Sequence, residues 1–314
     1  MVNPSRRQFL QILGLGGASL LAGKSATASE IHQINNDTVG MLYDAVKCVG
    51  CKACMSACKR VNMEHGGLSY DKAKFDKEGM WDAQTDLNGN TRTIIKLYKE
   101  SQQRWSYVKH SCMHCQKPSC VSACPVSAMT RDKVTGIVDY DKSVCIGCRF
   151  CQVACAFNIP RFQWDRANPQ IVKCDLCKHT HLTKTGTTAC ADVCPTGAIL
   201  FAKRMDLLTE AKSRIASSPD KYQKHVYGEK EAGGLNHLYL AAVPFEKIGL
   251  PVLSDKADAN FSETIQHTIY KGFIAPVALY GTLCFIALRN KKKFYKQKEA
   301  SGKGCVSCEQ KGDK

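Results

Sequence analysis

The chain has 314 residues, 19 of them cysteine, and a formal net charge of +16. Charge on that scale invites a nucleic-acid partner, but residues 1–28 hold +3 of it and the tail after Leu288 holds +6, which leaves +7 on the body. No nucleic-acid surface is predicted from so divided a surplus, and the cysteines become the feature to explain.

At the N-terminus, Ser5-Arg6-Arg7-Gln8-Phe9-Leu10 precedes an uncharged stretch from Gln11 to Gly23, and Ala26-Thr27-Ala28 offers a small-x-small cleavage site. That order of basic, apolar and cleavage regions predicts a twin-arginine signal peptide over residues 1–28, with the Tat translocon as its partner and cleavage after Ala28. An amphipathic helix kept on the mature protein fits less well, because the stretch is short and rich in glycine.

The mature chain opens with Gly40-Met-Leu-Tyr-Asp-Ala-Val-Lys-Cys48-Val-Gly-Cys51, a short strand feeding a cysteine loop that continues to Cys54 and Cys58. Residues 60–110 then form a cysteine-free insertion. Within it Thr93-Ile-Ile-Lys-Leu-Tyr98 and Trp105-Ser-Tyr-Val-Lys109 are rich in β-branched and aromatic residues and flank a polar stretch, which predicts a hairpin. Gly66-Gly67 and Asn88-Gly89-Asn90 mark turns. The insertion is expected to cover one side of the cysteine domain with no chemistry of its own, and Trp81 and Trp105 to be packing residues rather than electron relays.

Three further groups follow, Cys112-Cys115-Cys120-Cys124, Cys145-Cys148-Cys151-Cys155 and Cys174-Cys177-Cys190-Cys194. In the third, two-residue gaps let one tight loop bring three thiolates to a soft-metal centre, with Gly147 giving the backbone freedom that the loop needs. The fourth cysteine of such a run serves another cluster, so runs of this kind are expected to exchange ligands. Gly136-Ile-Val-Asp-Tyr-Asp-Lys-Ser-Val-Cys145-Ile-Gly-Cys148 echoes the first strand and loop, which marks an internal repeat, and Cys124-Pro125 and Cys194-Pro195 carry the ferredoxin-type proline. Four groups of four thiolates match the demand of four [4Fe-4S] clusters. Each cluster with its thiolates carries about −2, so Lys47, Lys52, Arg149, Lys173 and Lys178 beside the loops are expected to balance buried negative charge.

Zinc could occupy Cys174, Cys177, Cys190 and Cys194, but it does not account for the three-thiol runs. Disulfides suit an exported protein, yet cysteines three apart on a tight loop are poor partners in geometry.

Beyond the last group, Leu207, Leu208, Ala211 and Ile215 have the spacing of an amphipathic helix over Met205 to Ser217, ended by Ser218-Pro219. Leu238 to Val243 reads as a strand. His225, His237 and His267 lack metal-ligand spacing and are expected to be ordinary, partly exposed histidines. Gly272 to Leu288 carries no charge and is bounded by Lys271 and by Arg289-Asn-Lys-Lys-Lys293. At about 1.5 Å per residue the segment is just long enough to cross a bilayer if its basic flanks snorkel, and those basic residues put the C-terminus in the cytoplasm. A buried core helix is the alternative. Cys284 is expected to be a packing residue, and Cys305 and Cys308 in the polar tail to be spare thiols.

These features together resemble the four-cluster ferredoxin-type subunits of membrane-bound respiratory oxidoreductases. Within them the chain is most similar to the periplasmic iron-sulfur subunits of hydrogenase-2 type nickel-iron hydrogenases. The likeness spans nearly the whole mature chain and rests on Gly-Met-Leu-Tyr-Asp from Gly40, Cys-Met-His-Cys from Cys112, Cys-Pro-Val-Ser-Ala from Cys124, Tyr227-Gly-Glu-Lys-Glu and Gln266-His-Thr-Ile-Tyr-Lys-Gly272. Ala156 departs from the proline that relatives often carry after the third group.

The resemblance implies an α+β fold of two ferredoxin-like 2[4Fe-4S] modules with a β-rich insertion, plus a single C-terminal transmembrane helix. It implies a four-cluster domain at 29–204, an extension at 205–264, an anchor at 265–289 and a disordered basic tail at 290–314. It implies, further, that Cys48, Cys51 and Cys54 share a cluster with Cys194, and Cys174, Cys177 and Cys190 one with Cys58. Likewise Cys112, Cys115 and Cys120 go with Cys155, and Cys145, Cys148 and Cys151 with Cys124. The expected function is electron relay without catalysis, between the small and large subunits of a [NiFe] hydrogenase and a multi-spanning quinone-reactive membrane subunit. The body would lie in the periplasm, held by one span of the cytoplasmic membrane. The same subunit of a formate dehydrogenase or molybdenum reductase is the nearest alternative; a zinc-stabilised membrane adaptor is one of another class.

Overall fold

The computed structural model describes residues 37–63, 86–99, 104–165, 167–257, 259, 276–293 and 296. The leader and its cleavage site, Trp81, the turn at Gly66-Gly67, His267, residues 272–275 and the tail cysteines lie outside them. The chain divides into two units, Met1–Asn260 and Phe261–Lys314.

In the first unit the organising strand is β1, Val39–Asp44. It is the middle of three, paired antiparallel with Ile199–Lys203 and parallel with His237–Leu240. Because a strand alternates its faces, Leu42 turns one way and Met41 and Tyr43 the other. Leu42, with Leu238 and Leu240, packs against Leu207, Leu208 and Ala211 of the helix Arg204–Ser217. The amphipathic spacing therefore sits where it was expected. On the opposite face Met41, Tyr43 and Tyr239 join the core that contains Cys54, Cys112, Cys174 and Cys190.

The predicted hairpin is present, with Ile94–Lys99 (β2) antiparallel to Trp105–His110 (β3) and Ile94 opposite His110. Two tyrosines of the central sheet hold it: the Tyr43 hydroxyl donates to Tyr107 O at 2.8 Å and the Tyr239 hydroxyl to Lys109 O at 2.7 Å. Trp105 does not pack as expected, since 56% of it is exposed at the hairpin end. His237 also departs from expectation: it is 1% exposed, with Nδ1 3.2 Å from Ser111 Oγ. It begins the strand paired with Val39–Asp44, and the neighbouring segment at Ser111 and Cys112 closes over it.

In the second unit residues 276–293 are helical and Val277, Leu279, Tyr280, Leu283, Phe285 and Leu288 are exposed. Cys284, expected to pack, is exposed as well. Among the described residues no helix is long and apolar enough to cross a membrane.

Candidate metal centres

Each cysteine loop is bent by the same backbone device. The residue just before the second cysteine of each group has positive φ: Gly50 at 70°, His114 at 45°, Gly147 at 71° and Leu176 at 52°. The left-handed conformation reverses the chain within two residues and turns the amide N–H groups inward, so the two flanking thiols can face one point. In two loops the device falls on glycine, which adopts it without a Cβ penalty. At Gly50 a Cβ would also collide with the Tyr107 ring.

Among the described cysteines all are free thiols. Burial pushes the Cys58 thiol well above its ordinary value, and the charges of Cys177, Cys174 and Cys190 add to the effect. Cys48, raised by burial, feels Cys194 and Cys51. Cys115, raised strongly by burial, feels Cys112, Cys155 and Cys120; Cys151, pushed up to about 11 by burial, feels Cys145, Cys124 and Cys148. Thus the last thiol of each group has neighbours in a different group.

Burial also pushes Cys54 and Cys174 up to about 12. Thiols in this condition become thiolates only when a metal replaces the proton. The surroundings suit such a replacement, because N–H groups already point at sulfur: Ala128 N lies 3.2 Å from Cys124 Sγ, Gly147 N 3.4 Å from Cys145 Sγ and Leu176 N 3.4 Å from Cys174 Sγ. An all-sulfur donor set with hydrogen bonds to its sulfurs fits an iron-sulfur cluster. Among the described residues no three His, Cys, Asp or Glu side chains close on a site for a single ion.

The insertion contributes more than cover, contrary to expectation. Lys109 on β3 is 1% exposed, and its Nζ donates to Thr93 Oγ1 at 2.7 Å and Ser111 Oγ at 2.9 Å. Burial on its own would lower its pKa, but the negative charge that Cys190, Cys174, Cys54 and Cys58 carry once ionised outweighs it and raises it. Arg92, also from the insertion, lies 2.5 Å from Asp175 beside the fourth group. Of the cations named from sequence, Lys173 is buried, with Nζ donating to Val138 O at 2.5 Å and Cys174 O at 3.1 Å. Lys178 instead pairs with Asp139 at 3.2 Å. Alternation along β3 gave no sign of Lys109, since it puts that residue on the face opposite the buried Val108.

Exposure of the thiols is graded. Cys58, Cys174, Cys177 and Cys190 are all buried, whereas Cys51 is exposed and Cys145 and Cys148 are half-buried. Exposed apolar residues gather near the outer thiols: Val46 and Val49 on the first loop beside Trp105, and Ile146, Phe150, Val153 and Trp164 around the third. Arg149 lies over the Trp164 ring at 4.6 Å.

Residues 103–204 match the 4Fe-4S dicluster domain family. Over 92% of its length the chain is 36% identical to the hydrogenase-2 operon protein HybA of Escherichia coli O157:H7, covering 96% of that protein. It is 32% identical, over 79% of its length, to 82% of the iron-sulfur subunit of the nitrate-inducible formate dehydrogenase of E. coli K12. It is also 32% identical, over 72% of its length, to 92% of protein NrfC of the same strain. The chain belongs to the HybA family, and is an iron-sulfur electron-transfer protein with a ferredoxin-type 4Fe-4S domain of mixed α/β content.

Proposed function

We propose that this member of the HybA family carries four [4Fe-4S] clusters and relays single electrons, without catalysis, between a [NiFe] hydrogenase and a membrane quinone-reactive subunit. The observation that carries the reading is the grouping of thiols. Sixteen cysteines lie in four groups, each with its last member beside a thiol of another group, and Cys58 beside three. Cys48, Cys51, Cys54 and Cys194 would hold the first cluster, and Cys58, Cys174, Cys177 and Cys190 the second. Cys112, Cys115, Cys120 and Cys155 would hold the third, and Cys124, Cys145, Cys148 and Cys151 the fourth. When bound, such clusters supply one-electron redox steps.

The chain's own part is to fix, insulate and charge-balance these centres. The second set is wholly buried while the first, third and fourth each keep partly exposed thiols, which suits a wire with an insulated centre and others accessible to partners. The apolar residues beside Cys48 and around Cys145 suit docking of two protein partners, the catalytic pair at one end and the multi-spanning subunit at the other. Arg6 and Arg7 support export by the twin-arginine route. The uncharged stretch from Gly272, helical from 276, supports a single-pass anchor with the body in the periplasm and the tail in the cytoplasm.

The test is to purify the protein from membranes in mild detergent, identify the chains that come with it, and measure iron and the paramagnetic signals after reduction. Hydrogenase subunits and about sixteen irons per chain are expected. A formate dehydrogenase partner, which the 32% likeness to its iron-sulfur subunit keeps in play, would overturn the choice of enzyme. Zinc without iron would overturn the wire.

A further inference from the structure

The most unusual charge in the body is Lys109. An ammonium enclosed away from water is costly unless opposite charge lies close, and a carboxylate is the ordinary remedy. Among the described residues no carboxylate pairs with Lys109; its Nζ meets only the hydroxyls of Thr93 and Ser111. The opposite charge comes from sulfur instead. Lys109 lines one cavity with Cys58, Cys174, Cys177 and Cys190, and its charge also acts on Cys54. These thiols belong to two of the proposed clusters. The other buried or largely buried cations are held differently. Arg92 lines the same cavity and acts on Cys58 and Cys177 but is paired with Asp175. Arg204 donates to the carbonyls of Leu235, Gly228 and Glu229, and Lys173 is held by two carbonyls with its charge acting on Cys120 of the other module.

We propose that Lys109 sets the redox potentials of the first and second clusters, as a fixed positive charge enclosed between their ligands. The inference rests on the four-cluster reading above. In the relay each cluster accepts one electron, taking it with its four thiolates from about −2 to about −3, and passes the same electron on. The electron originates in hydrogen oxidation by the partner and ends on quinone, and the step needs no proton to move with it. A positive charge at short range in a dry interior stabilises the more negative, reduced state of both clusters and so raises both potentials. The Tyr43 and Tyr239 hydroxyls, bonded to the carbonyls of Tyr107 and Lys109, keep β3 and therefore this charge at a constant depth.

The experiment is a redox titration, followed by paramagnetic resonance, of the intact detergent-purified complex with wild-type chain, Lys109→Met and Lys109→Arg, with iron counted in each. Where Lys109→Met does not retain its iron, Lys109→Gln is titrated in its place, since it keeps a donor for the two hydroxyls and lacks only the charge. Two of the four midpoints should move to lower potential in the neutral variant, the other two should stay, and the arginine variant should lie nearer to wild type. Four unchanged midpoints at full iron content would overturn the proposal. So would a uniform fall of all four, or an arginine variant that falls as far as the neutral one. A wild-type complex whose chain holds no iron would instead refute the cluster reading, and iron counting detects that before any variant is made.

Discussion

Asp44 Oδ2 accepts a hydrogen bond from Arg214 Nη1 at 2.9 Å, which ties the end of the central strand to the last turn of the helix Arg204–Ser217. The carboxylate is wholly buried and serves four donors, with Oδ2 also taking the Tyr222 hydroxyl at 2.9 Å and Oδ1 the amides of Val46 and Lys47. It therefore shapes the approach to Cys48 as well as the helix contact.

Removing it should cost far more than one hydrogen bond. Asp44→Ala leaves the largely buried Arg214 guanidinium without this partner and two loop amides without an acceptor, and breaking a buried pair costs on the order of 3–5 kcal/mol. A clear fall in the temperature at which the visible absorbance bleaches is the expected outcome, with Asp44→Asn in between. An unchanged midpoint would mean that the pair carries no weight.

Ligand exchange between groups can be tested at Cys58. Its neighbours are Cys177, Cys174 and Cys190, so Cys58→Ser should alter the paramagnetic signal of the cluster those residues hold and spare the one held by Cys48, Cys51 and Cys54. The reverse result, with the cluster nearest in sequence altered, would sink the exchanged arrangement.

Acid should loosen the body through its buried histidines before its carboxylates respond. Burial, assisted by the positive charge of Lys96, lowers His110 to about 4, so it is neutral in the fold at pH values where the unfolded chain binds a proton. The contribution is intact above the unfolded value of about 6.5 and is lost as pH falls toward 4; by pH 5 His110 alone accounts for roughly 2 kcal/mol. Burial lowers His114 and His237 further, and they act in the same sense. Thermal midpoints should therefore drop between pH 6.5 and 5, and the drop should shrink in His110→Gln. An identical drop in the variant would exclude His110 as a source.

Topology can be read with two fusions. A reporter active only in the cytoplasm should work after Lys293, and one active only in the periplasm should work when it replaces the chain after Phe261. Activity in the opposite compartments would show that the leader or the anchor has been misread.

The anchor should matter to quinone and not to hydrogen. Truncation before Lys271 should leave iron content and hydrogen-dependent reduction of a soluble dye intact. Quinone reduction should fall sharply, because a tether raises a weak partner to roughly millimolar effective concentration. Full-rate quinone reduction by the truncated complex would make the segment dispensable.

How legible all this was follows the range of the interactions. The thiol groups, the hairpin and the helix Arg204–Ser217 are local patterns of spacing or alternation, and each could be read from a few consecutive residues. Left-handed backbone at Gly50 and Gly147 was visible because glycine marks it; at His114 and Leu176 the same bend is written in residues that signal nothing of the kind. The parallel pairing of His237–Leu240 with Val39–Asp44 leaves no local trace, and so the burial of His237 was missed. Lys109 was missed for a related reason. A lysine on an alternating strand looks like the solvent side until the thiols packed against it, from segments far along the chain, are known.

The central strand also sets an order of events during synthesis. Its residues, 39–44, emerge from the ribosome early, while the strands that flank it, 199–203 and 237–240, emerge after all four cysteine groups. Until then the oldest part of the body is a strand with two open edges, and the first thiol group waits for Cys194. The groups at 112–124 and 145–155, by contrast, are complete within one short stretch of nascent chain. The fold of the body is therefore complete only when its earliest strand has met strands that are made last. The leader proposed for residues 1–28 would precede that last-closing strand, an order that suits an export route accepting only finished cargo.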